Sequence, residues 1–270
     1  MLSLKIPGGA AVKSTVKASL ADKYISAVIV AMSVVFAALF LYVMMSAIAI
    51  VFGENLLLIG IFALLFTIFI INPLFLGAVR WFWRITDSSN DGPEAVFYYF
   101  SSFFRYARSI KFVLYISFKL CGIFFICLLP YLIVYLLSNS WIYQFLGTDI
   151  PLWAAGLVMV QSFLRIAGIV LALAFSSKYY LVCSVVVMDD DILILEAAHI
   201  SVMVSRHSTS ALLGLTASLF FWILVSFTLL PLIYTAPLIL GCYAVHCRYA
   251  LVNYNMNLDY YNGEEYNTPL

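Results

Sequence analysis

Charged residues are scarce in this chain. Only 10% of its 270 residues are Asp, Glu, Lys or Arg, whereas 65% are hydrophobic. A soluble globular protein carries about 25% charged residues, and too few polar side chains are present here to cover the outside of a water-soluble fold. The composition therefore excludes a soluble globular protein and indicates that a lipid bilayer is the solvent.

An excess of one charge is also missing. The formal net charge is +1, so no overall electrostatic field would attract nucleic acid. The five cysteines include no C-x-x-C pair and lie in apolar segments, which is typical of buried small side chains. No nucleotide-binding loop, nucleophile elbow or H-E-x-x-H zinc motif occurs. The sequence therefore predicts no catalytic residues, no cofactor, no metal and no enzyme activity.

Long apolar runs dominate the sequence. Backbone polar groups in lipid must be satisfied internally, which restricts membrane spans to helices or closed barrels. A barrel would show stretches of about 10 residues that alternate apolar and polar, whereas these runs are continuous over about 20 residues or more. The fold class predicted is an all-α polytopic membrane bundle. The six predicted spans cover residues 25–52, 56–79, 112–137, 152–175, 211–231 and 234–252.

Four shorter segments flank or separate these spans. Residues 1–23 and 253–270 are predicted to be a cytoplasmic N-terminal segment with a flexible start and a polar cytoplasmic tail. Residues 93–108 and 192–205 are too short to span. The first segment is rich in Phe and Tyr, and each segment carries an acid near its start, Glu94 and Glu196. We predict two amphipathic helices that lie on the cytoplasmic surface of the membrane at these two positions.

Two features interrupt the predicted spans. Pro73 lacks a backbone N–H and is expected to bend the second span. Apolar character continues from residue 152 to residue 188. A single helix of that length would measure about 55 Å at 1.5 Å per residue, well beyond the bilayer core of about 30 Å. This stretch must therefore project from the membrane or break near Ser176 and Ser177.

The basic residues predict the orientation. All fourteen Lys and Arg residues except Arg165 fall on one side of the six-span arrangement. Because basic residues concentrate in cytoplasmic segments, both termini are expected in the cytoplasm. An odd number of spans would scatter these charges over both faces. We therefore predict a multi-pass protein of the plasma membrane.

Two stretches suggest an internal repeat. Glu94 precedes the triplet 128–130, Leu-Leu-Pro, by 34 residues, and Glu196 precedes the triplet 229–231, also Leu-Leu-Pro, by 33. The two units would be parallel repeats about an axis along the membrane normal. The alternative is that any unit of two spans joined by a surface helix needs acids and arginines at these places.

Arg165 is the most unusual single residue. It lies near the middle of the fourth span, one turn after Gln161. A charge at mid-bilayer costs about 2.5 to more than 10 kcal/mol, so its side chain should face the bundle interior, a watery cavity or a partner. Arg165 and Gln161 are therefore a candidate site for an anionic headgroup or solute, or a structural hydrogen-bonding pair.

A second candidate site lies on the predicted inner surface. Glu196 and His199 have the i, i+3 spacing of helical metal sites, and Arg206 follows. A second set of carboxylates is not evident, so a solvated helix face is the simpler interpretation. We keep these three residues as a candidate inner-surface site without assigning a metal.

Several residues carry a resemblance to a known family. In the C-terminal half they are Tyr180, Asp189 to Asp191, Glu196, Ala197, Ser201, Met203, Phe220, Trp222, Thr228 and residues 237–243; in the N-terminal half they are Asn72, Pro73 and Gly77. On these residues, and over roughly positions 60–255, the chain resembles the domain of unknown function 975 family, uncharacterised multi-span membrane proteins of bacteria. The glycine expected after Met203 is replaced by Val204. The resemblance implies a six-span helical protein and transfers no catalytic residue.

These observations favour a non-enzymatic scaffold, assembly or partner-binding module embedded in lipid. Its expected partners are membrane lipids and other membrane proteins or a second copy of itself, and not nucleic acid. The alternative is a transporter, or a protein that handles lipids or anionic solutes, with a cavity around Arg165. A membrane enzyme would require acids or histidines that meet near Glu196.

Overall fold

The structure is a computed structural model, which describes residues 7–52, 55–86, 91–145, 152–226 and 229–262. All regular elements in these ranges are helical, so the prediction of an all-α fold is confirmed. The α-helices are α1 (Gly9–Leu20), α2 (Tyr24–Phe52), α3 (Leu56–Phe66), α4 (Asn72–Ile85), α5 (Phe103–Phe145), α6 (Leu152–Ser176), α7 (Val182–Met188), α8 (Ile194–Val225) and α9 (Leu229–Asn262). A π-helix (Thr67–Ile71) joins α3 to α4, and 3₁₀ helices cover Pro93–Phe100 and Ser177–Tyr179.

Six helical stretches of the described chain are long and apolar enough to cross a membrane. This finding supports a multi-pass membrane protein. The stretches are Tyr24–Val51, Leu56–Ile85, Phe103–Leu136, Gly156–Met188, Ser208–Val225 and Pro231–Tyr254.

The chain divides into two compact units. Unit 1 comprises Met1–Val113 and Leu181–Leu270, and unit 2 comprises Leu114–Tyr180. Unit 2 consists of the greater part of α5 together with α6 and the short 3₁₀ turn. In unit 2, Gly168 of α6 lies against α5, because a Cβ atom there would be 2.8 Å from the carbonyl oxygen of Cys127.

Helix α1 is part of the core of unit 1. Val12, Val16 and Leu20 repeat every four residues and are buried, as expected for one apolar face of a helix. They belong to the same apolar core as residues of α2, α4, α8 and α9. Residues 9–20 therefore form a packed helix, which begins at Gly9, the last residue of the flexible start predicted over residues 7–9.

The second predicted span contains the π-helix immediately before Pro73. Proline has no N–H to donate to the carbonyl of Phe69, four residues earlier. The N–H of Asn72 reaches back five residues to Thr67, and the hydroxyl of Tyr106 donates to the Phe69 oxygen over 3.0 Å. The proline thus produces a wider helical turn whose exposed carbonyl is satisfied by α5.

Residues 93–108 do not form one separate surface helix, so that prediction is wrong. A 3₁₀ helix covers Pro93–Phe100, and residues 103–108 are the first turns of the long helix α5. The 3₁₀ helix lies directly against α4, since a Cβ atom on Gly77 would be 1.8 Å from the carbonyl oxygen of Val96. This contact with α4 holds the 93–100 segment in place, and composition alone could not predict the contact. Helix α5 also continues to Phe145, beyond the predicted end of the third span.

The second predicted surface helix is likewise wrong as a separate element. Helix α8 runs without a break from Ile194 to Val225, because residues 206–210 contain neither proline nor glycine to end it. Helix α9 begins at Leu229 and continues to Asn262, so part of the predicted polar tail is helical. Leu-Leu-Pro lies inside α5 in one stretch and opens α9 in the other. The structure therefore does not support the internal repeat.

The fourth apolar run is broken. Helix α6 ends at Ser176, a 3₁₀ turn covers Ser177–Tyr179, and α7 covers Val182–Met188. The run is too long to stay within the membrane as one helix, and the observed break lies at the predicted position near Ser176 and Ser177.

Helices α8 and α9 form an antiparallel pair in unit 1. The hydroxyls of Thr216 and Tyr243 are 3.1 Å apart, and the rings of Trp222 and Tyr234 have centroids 5.8 Å apart. In the apolar stretch of α9, 61% of the residues are buried, against 0% in that of α2. Helix α9 is thus the most enclosed of the six stretches.

Candidate functional site

The densest polar cluster among the described residues lies where four segments of unit 1 meet. These are the end of α4, the 93–100 helix, the start of α5, and the turn that follows α7. We call this cluster the polar lock. Its members are Arg80, Tyr98, Tyr99, Arg105, Arg108 and Asp190, with the backbone carbonyls of residues 186–192.

Arg80 and Asp190 form the central ion pair. Nη1 of Arg80 is 3.1 Å from Oδ1 of Asp190 and 3.3 Å from the carbonyl oxygen of Val187. The Arg80 side chain is only 15% exposed, so its charge is shielded from water and the carboxylate compensates it. Removing either partner would leave a poorly solvated charge behind.

Tyr98 connects this pair to α5. Its hydroxyl donates to Oδ2 of Asp190. The guanidinium carbons of Arg80 and Arg105 lie 3.6 Å and 4.2 Å from the centre of its ring, within the range of cation–π attraction. Arg105 also donates to the hydroxyl of Ser101 over 3.0 Å. One aromatic ring therefore contacts two cations that come from different helices.

Arg108 binds the backbone that follows α7. One guanidinium nitrogen lies 2.7 Å from the carbonyl oxygen of Asp189, 3.1 Å from that of Ile192 and 3.5 Å from that of Val186. The last carbonyls of a helix have no partner within the helix, and a cation at that end also complements the helix dipole. Arg108 therefore caps α7 with a side chain that is far away in the sequence.

Tyr99 is fully buried beside this cluster. Its hydroxyl oxygen has no hydrogen-bond partner among the described residues. Burial raises the pKa of Tyr99 to about 12, because an apolar environment disfavours the phenolate. Burial, together with the hydrogen bond to Asp190, also raises the pKa of Tyr98. Both phenols are therefore neutral at physiological pH.

Further contacts close the turn between α4 and the 93–100 helix. Arg84 pairs with Asp91 over 3.1 Å, and the indole N–H of Trp81 donates to the carbonyl of Gly92 over 3.1 Å. Arg248 of α9 donates to the carbonyl oxygen of Thr86 over 2.6 Å. The end of α4 is thus held from two directions.

Comparison of the chain with family models, curated proteins and solved structures finds no match. The resemblance to the domain of unknown function 975 family therefore stays a prediction.

Gln161 and Arg165 have different surroundings in the structure. The Gln161 amide donates to the hydroxyl of Ser138, which in turn donates to the carbonyl of Tyr135 over 3.1 Å. Gln161 therefore links α6 to α5 in unit 2. Arg165 is exposed on α6 and has no hydrogen bond or ion pair within the part of the chain that the structure describes.

The candidate inner-surface residues are not brought together with other chemistry-bearing groups. Glu196, His199 and Arg206 are all exposed on α8. Among the described residues, no group of three or more His, Cys, Asp or Glu side chains could hold a metal ion. These three residues are exposed on α8, and the polar lock does not include them.

The lock is not among the sites predicted from the sequence. Arg80 and Arg105 count there only among the basic residues of one membrane face, and Asp190 only as part of the run Asp189 to Asp191 that carries the family resemblance. A signal was present, because several arginines and an acidic triplet border apolar runs at the same predicted membrane face. Pairing them requires the fold, since Arg80 and Asp190 are 110 residues apart.

Proposed function

We propose that this protein is a non-enzymatic scaffold, assembly or partner-binding module of a bacterial plasma membrane, with both termini in the cytoplasm. Its partners would be lipids and other membrane proteins. The one-sided distribution of basic residues supports the orientation. The resemblance described above supports the bacterial source.

The observation that carries the proposal is the polar lock. Arg80 and Arg108 direct their guanidinium groups at other parts of the same chain: a carboxylate, and the backbone carbonyls around the end of α7. Tyr98 adds a hydrogen bond and two ring contacts. Such cross-connections make the ends of several helices one rigid block. A rigid block at a membrane face suits the presentation of a fixed surface to a partner.

The alternative, solute or lipid handling around Arg165, gains no such support. That function needs Arg165 to line an enclosed polar cavity. Arg165 is instead exposed on the surface of α6.

Site-specific photocrosslinking in the membranes of expressing cells would test the scaffold proposal. Leu193 and Leu195 lie beside the lock and are 71% and 67% exposed, whereas Ile50 near the end of α2 is 84% exposed. A photoreactive side chain at 193 or 195 should give one protein adduct of reproducible mass. The matched position 50 should give lipid adducts.

A lock variant supplies the control. Asp190→Asn keeps the side-chain volume but removes the charge that pairs with Arg80, so it should reduce the adduct formed at position 193 several-fold. Lipid adducts alone at positions 193 and 195, in every replicate, would overturn the proposal.

A further inference from the structure

Arg165 occupies the centre of an apolar helix. It follows the first residue of α6 by 13 positions and precedes the last by 11. At 1.5 Å per residue these distances are about 20 Å and 16 Å. The headgroups at either membrane face are therefore farther away than an arginine side chain reaches by snorkelling. In a membrane-spanning α6, this charge would lie within the hydrocarbon region.

The exposed neighbours of Arg165 on α6 are apolar. Phe163, Ile166 and Met159 are 70%, 60% and 74% exposed. The contacts of Gln161 with Ser138 and of Gly168 with Cys127 bracket Arg165 along the helix. The helix is thus anchored to α5 above and below Arg165, and this anchoring leaves the guanidinium exposed and without a partner in the described chain.

This chain contains no acid that could meet Arg165 within the membrane. The six apolar stretches contain no Asp or Glu at all. The thirteen acids are Asp22, Glu54, Asp87, Asp91, Glu94, Asp149, Asp189, Asp190, Asp191, Glu196, Asp259, Glu264 and Glu265. Whichever part of the chain faces α6, a counter-charge at the depth of Arg165 must come from another molecule.

We infer that the Arg165 face of α6 docks a membrane-spanning helix of a partner protein that carries an aspartate or glutamate near its centre. A charge in hydrocarbon is costly unless it is paired, so the complementary charge supplies both affinity and specificity. A second copy of this chain cannot serve, because its spans offer only another Arg165. The inference rests on the proposed partner-binding function and names the chemistry of one partner.

The test uses the full chain, donor-labelled through a C-terminal tag and reconstituted in phosphatidylcholine vesicles. The probes are acceptor-labelled helices of leucine and alanine, about 21 residues long so as to span the bilayer, with a central Asp, Asn or Leu. Energy transfer should show at least tenfold tighter association for the Asp peptide than for the Asn peptide. Arg165→Leu should abolish this preference, and Arg165→Lys should retain most of it.

Lys119→Leu is the matched control. Lys119 is also exposed on an apolar helix, but it contacts the ring of Tyr115 at 5.7 Å, so its loss should leave the Asp preference unchanged. Arg165→Leu should keep the helicity and thermal midpoint of the parent chain, because no hydrogen bond or ion pair within the described residues is lost. A preserved fold ensures that a loss of association reports on the docking face.

Three results would overturn the inference. The Asp and Asn peptides could associate equally, or the preference could survive Arg165→Leu. Alternatively, adding phosphatidylglycerol could eliminate the Asp preference, which would identify a lipid phosphate as the occupant. If the peptide test fails while crosslinking at Leu193 still yields the protein adduct, only this inference is lost and the proposed function stands.

Discussion

The ring of Tyr24 lies 6.1 Å from the ring of Tyr234, measured between centroids, with an angle of 44° between their planes. Tyr24 is the first residue of α2, and Tyr234 lies five residues after the start of Leu229–Asn262, helix α9. The two helices therefore begin at the same end of unit 1. At the other end of the same stretch of α9, Arg248 reaches Thr86, just past the end of α4.

This contact bears on how the apolar helices cross the membrane. Six complete crossings in alternating order would put the starts of α2 and α9 at opposite faces, about 30 Å apart. Two rings in contact are incompatible with that separation. Six helices are long and apolar enough to span. We nevertheless expect the turn between α8 and α9 to lie at the membrane face from which α2 starts.

A cysteine pair would test this expectation. In a background without the native cysteines, Tyr24→Cys with Tyr234→Cys should crosslink within one chain through a short bifunctional reagent. Ile50→Cys, in place of Tyr24→Cys, is the control and should not crosslink to position 234. Impermeant thiol labelling should also modify Lys23→Cys and Ser226→Cys from the same side of the membrane. Labelling from opposite sides would show that α8 crosses completely.

Gly77 should not tolerate a side chain. A Cβ atom there would lie 1.8 Å from the carbonyl oxygen of Val96 and 2.7 Å from its carbon, and backbone cannot move aside cheaply. Gly77→Ala should lower the free energy of unfolding by about 3 kcal/mol, in the upper range for overpacking. Gly60→Ala is the matched control: a Cβ atom there meets nothing within 4 Å, and alanine stabilises a helix by about 0.5–1 kcal/mol. Thermal unfolding in detergent would measure both; equal midpoints would show that the 93–100 helix does not lie against α4.

Replacing Asp190 should destabilise the fold more than replacing its neighbour Asp191. Asp190 accepts from Arg80 and Tyr98, so Asp190→Asn should cost about 1–2 kcal/mol of unfolding free energy, reduced for its partial exposure. The Asp191 side chain is exposed and makes no hydrogen bond or ion pair within the described residues, where only its backbone N–H donates to the Asp189 carboxylate. Asp191→Asn should change the unfolding free energy by less than about 0.5 kcal/mol. Denaturant titration would compare the variants, and equal losses would argue against the lock.

Tyr98 and Tyr99 should respond in opposite ways to removal of the hydroxyl. Tyr98→Phe loses the bond to Asp190 and should destabilise the fold by about 1–2 kcal/mol. The Tyr99 hydroxyl is buried without a described partner, so Tyr99→Phe should be neutral or should stabilise by about 1 kcal/mol. Thermal midpoints at pH 7 would check the pair; a large loss on Tyr99→Phe would reveal a partner for that hydroxyl.

Tyr99 should also make stability fall at high pH. Its pKa is about 12 in the folded chain and 10.0 in its ordinary state. Between pH 10 and 12 the folded state holds the proton that the unfolded state releases, so the free energy of unfolding decreases as pH rises. Two pKa units correspond to about 3 kcal/mol. Isothermal denaturation from pH 9 to pH 12 should show a shallower decline for Tyr99→Phe than for the parent chain, and parallel curves would contradict the assignment.

The sequence predicts the helices better than it predicts their ends and partners. Long apolar runs dictate α2, α5 and α6, because lipid leaves the backbone few alternatives. The break expected between residues 205 and 211 is absent from α8, because the polar residues 206–210 interrupt no helical hydrogen bond. Helix α1 was missed because its apolar residues, Val12, Val16 and Leu20, lie among lysines.

The candidate sites show a related limit. Arg165 is recognisable from sequence, because a lone charge in an apolar run is costly anywhere. The polar lock is not, because Arg80 and Asp190 have ordinary surroundings in the sequence and meet only through tertiary packing. The π-helix before Pro73 is partly predictable. The missing N–H of the proline is evident from the sequence, but the use of the Tyr106 hydroxyl as a donor to the Phe69 carbonyl is not.

Helix α1 packs against a segment of the chain that is synthesised much later. Gly9 lies against Ser218, with only 2.6 Å between a Cβ atom there and that hydroxyl oxygen, and Lys13 donates to the Ser218 carbonyl. Because synthesis proceeds from the N-terminus, α1 leaves the ribosome about two hundred residues before its docking surface exists. Helix α1 therefore cannot reach its final packing before α8 has been made, and a nascent chain stalled before α8 would still present α1 to any chaperone or protease at the membrane.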